Sequence, residues 1–131
     1  MNVLETEWWT LALPPEWWAE SEEEAILIGD RDGVGCIEIS TLCKEEGEFD
    51  QQSVREMAVA QATQALDWAA VSLGDFRGLA AQYVEQEAAI REWLVASGPH
   101  LLFITYSCDQ ENSGLDAGAV DEILDTLLAV S

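Results

Sequence analysis

The sequence predicts a single α+β domain: an antiparallel sheet of about six strands with two amphipathic helices packed on it. Apolar runs of strand length fill both halves of the chain and are separated by turn residues. Their connections are too short for crossover helices, so neighbouring strands should run antiparallel. Two longer stretches, one central and one terminal, repeat their apolar residues at helical spacing. The 131 residues show no internal repeat and no low-complexity linker, so residues 1–131 read as one domain. A hydrophobic content of 49% with six Trp excludes a disordered tail.

The first strand is expected at Trp8–Leu13. Trp9, Leu11 and Leu13 share one face, and Trp8, Thr10 and Ala12 the other. Pro14-Pro15 ends it, because neither residue can donate to a ladder. Glu16-Trp17-Trp18 is read as a tight turn that drops at least one indole onto the core. Glu20 to Glu24 is a solvated acidic run. A short strand at Ala25–Ile28 precedes a turn, Gly29-Asp30-Arg31-Asp32-Gly33, and a longer strand at Val34–Cys43. Along that strand Ile37, Ile39, Thr41 and Cys43 line one face. Cys36, Glu38, Ser40 and Leu42 line the other, more polar one.

The first helix is expected at Gln51–Leu66, with Val54, Met57, Ala58, Ala62, Ala65 and Leu66 on one face. Its start is doubly signalled: Asp50 can act as N-cap with Phe49 and Val54 as the hydrophobic staple, and Ser53 and Glu56 offer a capping box one turn later; the Asp50 start is preferred. Gly74-Asp75-Phe76-Arg77-Gly78 is a turn. Strands follow at Leu79–Glu85, Ala89–Ala96 and His100–Ser107, the last two joined by Ser97-Gly98-Pro99. The His100–Ser107 strand is apolar on both faces, so it needs cover on both sides and should be central. The final helix is expected at Asp116–Ala129. Val120, Ile123, Leu124, Leu127 and Leu128 form its stripe, and Leu115 and Val120 staple an Asp116 cap.

These elements, taken in order, resemble the Mog1/PsbP-like fold and its small DcrB-like bacterial members. The resemblance lies in Trp9-x-Leu11-x-Leu13-Pro14-x-x-Trp17 at the start and the strand Gly33 to Ser40 after an acidic turn. It continues through Gly74-Asp75-Phe76-Arg77-Gly78, Arg91-Glu92-Trp93, and Leu102 to Cys108 before a closing helix. It covers nearly the whole chain, mostly through packing residues. The resemblance implies an α/β/α sandwich around an antiparallel sheet. It also implies a non-enzymatic binding module of the adaptor, chaperone-like or accessory kind. It carries no functional residue across, and the lack of an export signal sets this chain apart from the exported PsbP and DcrB types.

Charge narrows the partners. Twenty-six acidic residues face five basic ones, a net charge of −21. Arg31, Lys44, Arg55, Arg77 and Arg91 are scattered, whereas phosphate backbones need clustered cations. Nucleic acid and anionic membrane are therefore excluded as partners. The N-terminus has neither the basic region nor the apolar run of a signal peptide. No stretch approaches the roughly 18–20 apolar residues of a membrane helix. The expected compartment is the cytoplasm, and three Cys without a CxxC spacing fit a reducing one.

The sequence names no reaction. His100 is the single histidine, so a triad or a His-centred metal site would have to be built around it. Cys108 lies more than ~25 Å along the same strand, while pairing with Cys36 or Cys43 stays open. Asp30 to Gly35 places acids and a Gly as a calcium loop would, but Val34 and Thr41 stand where ligands are needed. Gly29, Gly33 and Gly35 match no phosphate loop. No catalytic residue, metal or cofactor is assigned.

The expected function is a non-catalytic protein-binding module whose acidic surface meets a basic protein. An adaptor, a chaperone or an immunity-type inhibitor would each fit. Buried aromatic anchors give such surfaces specificity, and the candidates are Trp8, Trp17 and Trp18 with Glu20, Glu22, Glu23 and Glu24 beside them. The alternatives are a metal-assisted enzyme with converging carboxylates, or acidity that reflects only the host.

Overall fold

A computed structural model describes residues 2–22, 25–30, 33, 35–61, 68–112, 114 and 117–130. Asn2–Glu5 (β1) and Trp9–Leu13 (β2) pair antiparallel, and Trp17–Ser21 (β3), Ile26–Asp30 (β4) and Gly35–Cys43 (β5) form a meander. Gln51–Gln61 (α1) leads to a second meander of Ala69–Leu73 (β6), Phe76–Glu85 (β7), Ala88–Ser97 (β8) and His100–Asp109 (β9). Ala117–Leu124 (α2) and Leu128–Ala129 (β10) follow.

The two meanders join where β5 pairs with β9, giving one sheet in the order β3-β4-β5-β9-β8-β7-β6. The doubly apolar β9 is fourth of the seven strands, with a layer on each face. Leu102, Ile104 and Tyr106 look toward one core, with Trp93, Val95, Ile37 and Ile39 from neighbouring strands. Trp9, Leu11 and Leu13 of β2 close that core, together with Val120, Ile123 and Leu124 of α2. On the opposite face, Val54 and Ala58 of α1 pack on Leu79, Leu94, Ala96 and Leu101. A second sheet, β1-β2-β10, joins the two ends of the chain: Thr10 faces Leu128, and Trp9 faces Ala129.

This architecture corrects the α/β/α sandwich. Among the described residues the chain is mostly β, with 57% in strands and 18% in helix. A seven-stranded sheet is about 29 Å wide at the usual strand spacing. The 8 residues of α2 give a rod of about 12 Å, too short to cover such a face. The three-stranded sheet covers much of the remainder.

Other boundaries shift as well. The closing helix ends at Leu124 instead of Ala129. Its last turn tightens through Thr126 N–H to Ile123 O and Leu127 N–H to Leu124 O, and β2 then captures residues 128–129. Trp17 and Trp18 are strand, not turn; the chain reverses one step earlier, where Trp17 N–H donates to the Pro14 carbonyl. Gly29 and Asp30 belong to β4, and Phe76 to Gly78 belong to β7. Strands β1, β3, β6 and β10 lie outside the six expected from the sequence. The Asp50 cap is observed, its Oδ1 accepting the Ser53 N–H at 2.7 Å. The expected helix residues 62–66, the turn residues Arg31 and Asp32, and the Leu115–Asp116 staple and cap lie outside the described residues.

Candidate functional site

Strand β5 outruns its neighbour. The β3–β4 hairpin closes where Glu22 N–H donates to the Ala25 carbonyl, and β4 pairs with β5 only as far as Ile26 opposite Ile39. On its other side β5 pairs with β9 along its whole length, to Cys43 opposite His100. Among the described residues, Ser40–Cys43 therefore has a strand partner on one side alone. Lys44 N–H donates to Pro99 O, so by antiparallel alternation Leu42 and Ser40 exchange bonds with β9. Thr41 and Cys43 then direct their backbone groups the other way.

A groove of about 820 Å³ lies along this edge. Glu5, Glu7 and Trp8 line it from the end of β1 and the following turn, and Ser21 and Glu22 from the β3–β4 hairpin. Leu42, Met57 and Phe103 add apolar surface. Thr6 pins the turn: its Oγ1 accepts the Trp9 N–H at 2.9 Å and donates to the Trp9 carbonyl at 2.8 Å. The Trp9 indole N–H then donates to Thr41 Oγ1 at 3.1 Å, which fastens the wall to β5.

The sequence-predicted residues divide. Trp8 and Glu22 line the groove. Glu20 is exposed on β3, an edge strand of the sheet. Trp18 is 42% exposed but stands nearer the far end of β3, opposite Gly29. Its indole lies over that glycine, where an added Cβ would come within 2.6 Å of Trp18 Cζ2, and its N–H donates to Asp30 O at 3.1 Å. Trp17 is corrected as an anchor: it is 8% exposed and packs in the core, because alternation along β3 turns it inward. Glu23 and Glu24 lie outside the described residues. Sequence reasoning missed Glu7, Leu42 and the one-sided edge as site features. The available signal was a long strand, Val34–Cys43, set beside a much shorter one.

Cys43 and His100 meet across β5 and β9, with Sγ 3.2 Å from Nδ1. Partial burial of the thiol, with the Glu7 carboxylate adding to it, raises the Cys43 pKa. A raised thiol is a poor nucleophile near neutral pH. No group of three or more His, Cys, Asp or Glu gathers to hold a metal among the described residues. Asp30 shapes a turn, its Oδ1 accepting the Gly33 N–H at 2.9 Å.

A second cavity of about 640 Å³ is lined by Tyr83, Ile90, Arg91, Tyr106 and Asp121. Its guanidinium is engaged at Nη2 and across its face, while Nη1 is buried with no hydrogen-bond partner among the described residues. Arg91 Nη2 lies 2.6 Å from Asp121 Oδ1, and the group stacks 4.6 Å from the Trp93 ring centre.

No protein-family model and no curated protein matches the chain. The Mog1/PsbP-like resemblance therefore rests on sequence residues alone. A crystal structure of a protein from Bacteroides thetaiotaomicron VPI-5482 is similar, with a TM-score of 0.70 and 17% identity over 95% of this chain. The chain spans about half of that neighbour, 46% of its length. This likeness shows the fold alone. No helix among the described residues is long and apolar enough to cross a membrane.

Proposed function

We propose that this domain is a non-catalytic binding module that receives a basic protein on its acidic surface. One observation carries the reading: a groove rimmed by Glu5, Glu7 and Glu22 beside the half-buried Trp8, in a chain of net charge −21. Such a field speeds encounter with a cationic surface and repels phosphate. At ~0.15 M salt the Debye length is about 8 Å, so the attraction acts at close approach. Specificity then comes from contacts inside the groove. An inhibitor that plugs a basic effector and a chaperone or adaptor for a basic client both fit this chemistry.

The test is affinity capture from the native host, followed by titration of the purified captured protein at low and high salt. A basic partner is expected, with association slowed by salt and weakened by Trp8→Ala or by Glu5→Gln with Glu7→Gln. A purified partner whose binding ignores both salt and these changes overturns the proposal.

A further inference from the structure

We infer that the partner presents an extended segment alternating basic and apolar residues, which adds a strand to β5 at Ser40–Cys43. This rests on the acidic-docking reading above and specifies its mode. Four residues of strand run about 13 Å, enough to pair with a short stretch of a partner chain. Thr41 and Cys43 point their backbone groups toward the side that has no strand partner among the described residues, the main-chain template that strand addition uses.

The walls set the side-chain pattern. The β1-β2-β10 sheet covers one face of the large sheet, so Glu5 and Glu7 stand on that side of the edge. Leu42 is in register with Leu101 on the opposite face, and is 52% exposed. Successive side chains of an added strand point to opposite faces. Lys or Arg would then meet the glutamates while the residues between meet Leu42. Natural edges are often blunted by lysine. Lys44 does not serve here, because its Nζ donates to Glu48 O at 3.1 Å and sits 4.6 Å over the Phe49 ring. A second copy of this chain is a poor occupant, since each copy carries −21.

The probe is a labelled peptide, Lys-Val-Lys-Val-Lys-Val, titrated into the full domain by fluorescence anisotropy at about 0.05 M salt. Its controls are Lys-Lys-Lys-Val-Val-Val, of equal charge, and the alternating peptide N-methylated at every second amide. The alternating peptide should bind about tenfold tighter than either control, as expected for two or so backbone hydrogen bonds gained. It should also slow amide exchange at Thr41 and Cys43, and Leu42→Lys should weaken it by a similar factor. Equal, salt-sensitive binding of all three peptides would overturn the strand-addition mode and leave acidic docking standing. No salt-sensitive binding by any peptide would overturn both.

Discussion

Asp75 and Ala129 are joined side chain to backbone: the Asp75 carboxylate accepts the Ala129 N–H at 2.9 Å. The Asp75 N–H in turn donates to Leu127 O at 3.0 Å. The turn between β6 and β7 thus holds the strand that closes the small sheet. Gly74 makes the approach possible. It sits at φ +58°, and a Cβ there would collide with the Leu127 carbonyl oxygen. Asp75→Ala should cost about 1 kcal/mol. Gly74→Ala should cost more, since it adds left-handed strain to the collision. Urea unfolding of both variants checks the order; an equal or reversed cost would refute the account.

Truncation of β9 tests its central place. Leu102 and Ile104 are fully buried, between strands β5 and β8. Either residue to Ala should cost about 2–5 kcal/mol in chemical denaturation. A cost below about 1 kcal/mol at both sites would be the behaviour of an edge strand.

Acid should weaken the α1 cap in a defined direction. The Ser53 N–H, and then the Ser53 side chain, hold the Asp50 carboxyl below its ordinary pKa of 3.8. A lowered folded pKa means that the unfolded chain binds the proton more readily. The contribution is therefore complete above 3.8 and is lost as pH falls through the folded value. Asp50→Asn keeps an acceptor and does not titrate. Its urea midpoint should fall less than the parent's on acidification below 3.8.

Thiol chemistry should separate the three cysteines. Cys43 is exposed, Cys36 partly so and Cys108 buried. Burial raises the Cys36 and Cys43 thiols, and Glu7 adds to the effect at Cys43. Alkylation of Cys43, followed by mass spectrometry across pH, should show a midpoint above that of an ordinary thiol. Glu7→Gln should move it down. Cys108 should react only under unfolding conditions.

Local chemistry alone determined a good deal of this protein. The Asp50 cap, the apolar stripe of Val120, Ile123 and Leu124, and the two-faced β9 were legible because each depends on residues within a few positions. The net charge likewise points to an acidic surface. Only the tertiary structure decided the rest. Leu128 reads as the end of a helical stripe, yet pairing with Thr10 and the bonds from Asp75 draw the segment into a strand. Trp17 and Trp18 read alike, and only the face that β3 turns to the core separates them. The one-sided edge at Thr41 exists because β9, distant in sequence, pairs along all of β5, whereas β4 pairs with it only as far as Ile26 opposite Ile39. Helix stripes and caps are set by near neighbours, whereas sheet partners and grooves depend on contacts between distant segments.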